Sequence, residues 1–406
     1  MKMLFLSRDT FPPNRVDVSV LFGKELVGRG YDIDWVLQAE DTSTTSGLRD
    51  WYAGRVWVGP TDLGCSVTAR IRKHWLGMFH DARMLVTRVR RGKYDVVQVK
   101  DKFIIAILAM LVAKLSGTKF VFWLSFPFHE EYLYKARQPG ARYPAFYYAR
   151  GEVFRWILRT LLLPYSSHVF VQSAQMKSDL LAESRVDPSR LTPVPMGVDA
   201  EQLDGVIPVE RMGSDKWLVY LGALDKERNL DFLLDVVKEV SIQEPRVRLY
   251  LVGGSVSPDD EVFLLERAEG IGIRDKVVIT GHIPRANALG YVAAADVCLS
   301  PYFPVSFLRS TSPTKLVEYM ALGKAVVCND HPEQRMLIEN SGGGLCVQYE
   351  KAAFVEAVLL LLENSSRASE MGRRGREYVM KHRTYEIIAE HVDRVYGSLH
   401  ERPLVN

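Results

Sequence analysis

The most constraining feature of this 406-residue chain is an alternation repeated along most of its length. Short β-branched or apolar runs are separated by longer stretches of helical periodicity. In the first half the strand-like runs fall at 2–7, 32–37, 55–58, 95–99, 119–124, 168–172 and 191–194, with helical stretches such as 17–29 and 103–115 between them. The second half repeats the plan at 217–221, 247–252, 276–280, 296–299, 325–328 and 344–347, around helical stretches 229–243, 259–270 and 314–322. Apolar strands alternating with amphipathic helices specify parallel sheets covered on both faces. Two such series predict an α/β protein of two doubly wound domains, each near the comfortable size of about 200 residues. Strand character stops over 193–213, where Pro, Gly and acidic residues collect, and that stretch marks the boundary. Beyond residue 351 the pattern is purely helical and ends in a run over 390–399. Open parallel sheets bind ligands beyond the carboxyl ends of their strands, so the expected site is a cleft faced by the two sheets.

Composition narrows the class further. Hydrophobic residues make up 47% and charged residues 25%, which excludes disorder, collagen-like repetition and a coiled-coil rod. Cys65, Cys298, Cys328 and Cys346 are scattered, with no CxxC pair and no histidine at metal-ligand spacing. They read as small apolar fillers in a reducing compartment, and no metal site is expected. The apolar start is cut off by Arg8 and Asp9, as in a first strand rather than a signal peptide. The longest apolar run, 103–113, is eleven residues against the roughly 20 of a membrane span, so it reads as a buried helix. A cytoplasmic location follows, with contact at a membrane surface left open.

The richest segment is Ser312-Pro-Thr-Lys-Leu-Val-Glu-Tyr-Met-Ala-Leu-Gly323. Ser312 suits an N-cap, Pro313 the first helical position and Gly323 the terminus. Thr314, Lys315 and Glu318 then share one helix face. A lysine in the first turn opposes the helix macrodipole, so stability alone explains Lys315 poorly. An anion docked on the free amides explains it better, because lysine and amides then act together. Glu318, one turn deeper, can accept two hydrogen bonds from a vicinal diol such as a ribose. The plainer reading is a surface Lys–Glu pair on an ordinary helix.

Around this segment the second half resembles the nucleotide-binding domain of GT-B glycosyltransferases, specifically the large retaining family four. Their "GRL…KG", "VGxG", "V.f.G", "aDv.v.PS" and "EAMA.G.PVV" motifs are matched in order. Here they read Leu221-Gly222-Ala-Leu-Asp-Lys-Glu-Arg228, Leu251-Val-Gly253-Gly254, Val278-Ile-Thr-Gly281-His282-Ile, Ala295-Asp296-Val-Cys-Leu-Ser300-Pro and Leu316-Val-Glu318-Tyr-Met-Ala-Leu-Gly323-Lys-Ala-Val-Val. The resemblance is strong over 217–347. It is looser in the first half, through Tyr94-Asp-Val-Val-Gln-Val-Lys-Asp101 and Pro195-Met-Gly197-Val-Asp199. It implies GT-B architecture: Rossmann-like domains at 1–200 for the acceptor and 201–380 for the nucleotide sugar, then a C-terminal helix over 381–406 packing back on the first. It implies a metal-independent, retaining transfer from a UDP- or GDP-sugar, with no cofactor, to a lipid-linked or oligosaccharide acceptor in cell-surface polysaccharide or glycolipid synthesis.

Carried over by position, the resemblance makes Glu318 the ribose carboxylate and puts Arg228 in place of the diphosphate-binding lysine. Gly222 and Gly253 form the close turns. Gly281, His282 and Ile283 fall where the base is held, and Thr314, Lys315 and Leu316 where helix amides meet the diphosphate. The chain also departs from the family. The second glutamate, eight positions before Glu318, is Ser310, which leaves Ser310, Thr311 or Arg309 to meet the sugar, with Ser312 also on the donor side. The arginine of "GRL" is Ala223, for which Lys226 could compensate. A Pro12-Pro13-Asn14-Arg15 turn replaces the glycine-rich one, and the first-domain histidine aligns near Ser125 with His129 following. His129 or Arg15, with Asn14 beside it, is expected to contact the reacting sugar or acceptor. The catalytic set is therefore Arg228, Lys315, Glu318 and His129.

The net charge of +3 conceals a split, +9 over residues 1–200 and −6 over the rest. Residues 68–93 hold Arg70, Arg72, Lys73, Arg83, Arg88, Arg90, Arg91 and Lys93 against Asp81 alone. Ile71, Trp75, Met78, Ala82, Leu85 and Val89 form an apolar stripe expected to pack on the sheet. Residues 142–165 interleave Tyr143, Phe146, Tyr147, Phe154 and Trp156 with Arg142, Arg150, Arg155 and Arg159. Basic and aromatic residues together suit an anionic membrane surface, or equally a buried helix with a basic edge. The missing glutamate raises a sugar-nucleotide epimerase or a catalytically idle partner subunit as the alternative. A dinucleotide oxidoreductase lacks its GxGxxG turn after the first strand, and no nucleic-acid-binding motif accompanies the basic helix, so nucleic acid is not an expected partner.

Overall fold

The computed structural model describes every residue except 14, 41–43, 61–63, 65, 91, 212 and 402–406. Asn14, Cys65 and Arg91 therefore lie outside the described residues, as does the Arg70 side chain. The chain divides into two compact units, Met1–Pro195 with Tyr385–Asn406, and Met196–Thr384.

The first unit carries a sheet of strands β1 (Lys2–Phe11), β2 (Asp32–Ala39), β3 (Gly47–Trp51), β4 (Gly54–Val58), β5 (Val96–Lys100), β6 (Lys119–Leu124), β7 (His168–Val171) and β8 (Leu191–Pro193). Their order is β3-β4-β2-β1-β5-β6-β7-β8, parallel except for the antiparallel β3–β4 pair. That edge hairpin is absent from the sequence reading because most of β3 is exposed and so lacks the apolar run that marks its neighbours. β1 also runs on to Phe11, across a register shift between Leu6 and Thr10.

One face of this sheet packs Leu4, Leu6, Val97, Val99, Phe122 and Leu124 against the apolar helix Phe103–Ser116. Gly117 ends that helix in the left-handed conformation, its N–H reaching Ala113 and Lys114 carbonyls. The other face is aromatic: Phe5 lies 4.9 Å from Phe22 and 5.0 Å from Trp35. The last helix, Tyr385–Glu401, covers part of it. Its Tyr396 is fully buried, bonds Gln98, and meets Tyr31 and Phe170 edge-on or tilted, while Tyr31 donates 2.6 Å to Asp393. No helix among the described residues is long and apolar enough to cross a membrane.

The second unit has six parallel strands, β9 (Lys216–Leu221), β10 (Val247–Val252), β11 (Val277–Ile279), β12 (Val297–Ser300), β13 (Val326–Asn329) and β14 (Gly344–Val347), in the order β11-β10-β9-β12-β13-β14. Period-two alternation divides its core. Leu218, Tyr220, Leu249, Leu251, Val297 and Leu299 face one layer of helices, and Val219, Val252, Cys298, Val326 and Cys328 the other. Strand order reverses between β9 and β12. In a doubly wound sheet that switch opens a crevice at the carboxyl ends of the two strands.

Candidate active site at the switch point of the second sheet

β9 ends at Leu221, whose N–H donates 2.6 Å to the buried Tyr319 hydroxyl of the helix Thr314–Ala321. That bond ties the turn after β9 to the helix singled out in the sequence. Gly222 follows at φ +145°, and Gly253 at φ +135° comes so close that a Cβ on it would lie 2.1 Å from the Gly222 carbonyl oxygen. Only glycine fits such an approach. His282 lies against Gly254 just as tightly, since a Cβ there would meet its ring at 2.6 Å. Gly253 also donates 3.1 Å to the Thr280 hydroxyl and pairs with Gly281, so the three turns after β9, β10 and β11 are knit together.

Into this frame the Thr314–Ala321 helix brings its first turn. The Lys315 ammonium stands 3.9 Å from the Tyr220 ring centre and 5.4 Å from that of Tyr302, beside Gly222. Burial and the neighbouring Arg228 push its pKa well below the usual lysine range, while Glu318 pulls it back up. Arg228 closes a tight turn over Lys226–Arg228, held by Asn229 in the left-handed conformation. The Arg228 side chain is exposed and forms no ion pair with any described residue. Two cations and a helix N-terminus thus converge where anions are stabilised by charge and amide dipoles.

The structure corrects one expectation about that helix. Pro313, not Ser312, holds the cap position, and no side chain caps the first turn. The Ser312 hydroxyl instead accepts the Met196 N–H at 3.0 Å and faces Glu333 at 3.4 Å, because Glu333 is a buried partner of Arg383 at 2.6 Å. Among the described side chains, none competes with a ligand for the helix's leading amides.

Glu318 is buried, with one oxygen 2.6 Å from the Arg285 guanidinium. Arg285 begins the helix Arg285–Ala294, and sequence reasoning missed it. The single signal it left was its place two residues after the Gly281–Ile283 segment.

The remaining sequence candidates are distributed differently. Lys226 directs its ammonium over Phe263 at 5.2 Å rather than toward Lys315. Leu316 is a core side chain and offers the site only its backbone, and Ile283 packs partly into the core. Thr311 closes its own turn by donating 2.7 Å to the Leu308 carbonyl, and Ser310 is buried at the end of the short helix Ser306–Arg309. Among the described residues no group of three or more His, Cys, Asp or Glu stands ready to hold a metal ion.

In the first unit Arg15 pairs bidentately with Asp17 at 3.0 and 2.6 Å, and Lys100 lies 3.3 Å from both Asp9 and Asp17. This cluster sits at the carboxyl ends of β1 and β5, where that sheet's own order reverses. Burial works against the charge on Asp17, but Arg15 and Lys100 override it and hold the carboxyl far below its usual range. His129 is not part of the cluster. Its ring is 2% exposed in the first turn of the helix Phe128–Arg137, and burial with Arg159 and Arg155 nearby pushes its pKa down to about 4. A neutral imidazole shut from solvent fits a packing role.

The apolar stripe of the basic helix Val67–Arg88 is likewise corrected. Leu85 and the following Val89 pack on the sheet, but Ile71 and Trp75 are 55% and 64% exposed because nothing described covers that end. The neighbouring helix Pro144–Ile157 is two-sided, with Phe154 stacked on Phe103 at 4.5 Å and Phe146 and Trp156 exposed.

Comparison with known proteins adds a family to this geometry. The family described as "Glycosyl transferases group 1" matches residues 215–364, and that described as "Glycosyltransferase Family 4" matches residues 18–202. A curated relative, alpha-monoglucosyldiacylglycerol synthase of Streptococcus pneumoniae, is 27% identical over 182 residues, 43% of this chain and only 36% of the relative's length. The fold of sucrose-phosphate synthase from Thermosynechococcus elongatus superposes with TM-score 0.77 at 17% identity, covering 98% of this chain and 99% of the other. Anabaena HepE, solved in complex with UDP, superposes with TM-score 0.69 at 13% identity, covering 98% and 100%.

Proposed function

Because this chain belongs to the group 1 glycosyltransferases and has their GT-B fold, we propose that it moves a sugar from a UDP- or GDP-sugar to a lipid-linked or saccharide acceptor with retention of configuration. The observation that carries this reading is the unneutralised pair Arg228 and Lys315 at an uncapped helix N-terminus, with the buried Glu318 one turn deeper. A departing nucleoside diphosphate needs charge stabilisation that is in place before the bond breaks. Arg228, Lys315 and the helix amides supply it without a metal. Glu318, fixed by Arg285 through one oxygen, keeps the other for a ribose diol. Activity is therefore expected to persist in excess chelator.

The acceptor class rests on the first unit. Its basic helix exposes Ile71, Trp75 and Phe79 beside Arg72, and Arg150 on the helix Pro144–Ile157 lies over the Tyr132 and Phe154 rings. Cations interleaved with exposed aromatic residues suit an anionic leaflet presenting a lipid-linked acceptor. The test incubates the chain with radiolabelled UDP- and GDP-sugars and a lipid or saccharide acceptor in chelator. A labelled α-linked product, lost in Glu318→Ala, supports the reading. Donor turnover to an epimer, or none under any donor, would replace it with the epimerase or idle-subunit alternative. Separately, failure to bind anionic liposomes at low salt would remove the membrane.

A further inference from the structure

The second unit has another concavity, away from the nucleotide motifs. A cavity of about 480 Å³ opens at the amino ends of β9, β12 and β13, lined by Lys216, Asp296 and Ala325 at those strand starts. The four-residue β12 alone separates that edge from the carboxyl-end site by about 13 Å. The remaining polar wall is Arg211, Lys324, Ser365 and Ser369.

Cations outnumber carboxylates along this wall. One Asp296 oxygen, Oδ2, accepts both the Arg211 guanidinium at 2.8 Å and the Trp217 N–H at 2.7 Å. The Lys324 ammonium donates 3.1 Å to the Ala295 carbonyl, and neither it nor Lys216 forms an ion pair with a described residue. Three cations, Arg211, Lys216 and Lys324, therefore line one cavity against a single lining carboxylate, Asp296, in a half of the chain whose net charge is −6. Solubility does not call for an excess of cations inside a concavity, and the partial burial of Lys324 works against its charge although Asp296 supports it. Ser365 and Ser369, four residues apart on one helix face, add hydroxyl donors opposite the lysines. The volume falls within the range of about 300–1,000 Å³ typical of small-molecule sites, and is too large for a bare phosphate alone.

We propose that this cavity is a second ligand site, distinct from the donor site, that takes a small phosphorylated metabolite. Its phosphate sits between Lys216 and Lys324, and its polyol remainder lies along Ser365 and Ser369. The experiment is calorimetric titration of glucose 6-phosphate, glucose and inorganic phosphate into the full chain at low ionic strength, each with and without saturating UDP. Glucose 6-phosphate is expected to bind in the presence of UDP, and glucose not at all. The double variant Lys216→Ala/Lys324→Ala should weaken that binding at least tenfold while leaving UDP affinity unchanged, which also shows that the variant folds. Ser369→Asp, which places a carboxylate at the wall without removing a lysine, should do the same. Three results each overturn the proposal: no binding of glucose 6-phosphate at millimolar concentration, binding abolished by UDP, or equal binding by the wild type and both variants.

Discussion

At the residue scale the account depends on a few charges whose surroundings set their strength. Lys315→Ala should weaken UDP binding about ten- to hundredfold, matching the roughly 1.5–3 kcal/mol of a hydrogen bond to a charged group. Because burial and Arg228 depress the Lys315 pKa, part of the free protein holds this lysine neutral toward alkaline pH. A diphosphate favours the protonated form, so binding takes up a proton and affinity falls as pH rises. Affinity titrations across pH check this, and the Lys315→Ala variant should lose the dependence. Arg285 acts through Glu318 and is a positioning residue. Arg285→Ala should cost several-fold in UDP affinity and shrink the preference for UDP over its 2′-deoxy analogue, with Arg285→Lys restoring part of both. An unchanged preference would mean that Arg285 does not orient the carboxylate.

At the element scale the glycine turns carry the geometry. Gly253→Ala forces a Cβ against the Gly222 carbonyl at a positive φ, which should cost roughly 2 kcal/mol or more and be seen as a lowered melting temperature and lost nucleotide binding. Most of this frame was legible in the sequence. The strands β9 to β14 announce themselves as apolar runs between helices, and Gly222, Lys315 and Glu318 sit at fixed places relative to them. The rest was hidden for physical reasons. β3 is an exposed edge strand without an apolar run, and Arg285 meets Glu318 across 33 residues with no local pattern to link them. Ser312 looked like a cap because caps are read from local spacing, whereas its partners Met196 and Glu333 are set by tertiary packing. The stripe at Ile71 and Trp75 had helical periodicity, and periodicity says which residues share a face but not whether anything covers it.

At the scale of the whole molecule, sequence-distant pieces complete each unit. The last helix returns to the first unit, where Tyr396 fills the aromatic face and bonds Gln98. Tyr396→Ala should destabilise that unit by roughly 3–5 kcal/mol, lowering its denaturant midpoint while UDP binding by the second unit persists below that transition. The charge split is also resolved at this scale. The basic half carries exposed apolar and cationic helices, and the acidic half concentrates Arg228 and Lys315 where a nucleoside diphosphate would sit. The most direct measurement of the central claim is calorimetric titration of UDP and GDP into the full chain, Lys315→Ala and Glu318→Ala. One nucleotide should bind the wild type with one-to-one stoichiometry and each variant at least tenfold more weakly. Binding of neither nucleotide, or equal binding to all three proteins, would contradict a nucleotide-sugar site at the switch point of the second sheet.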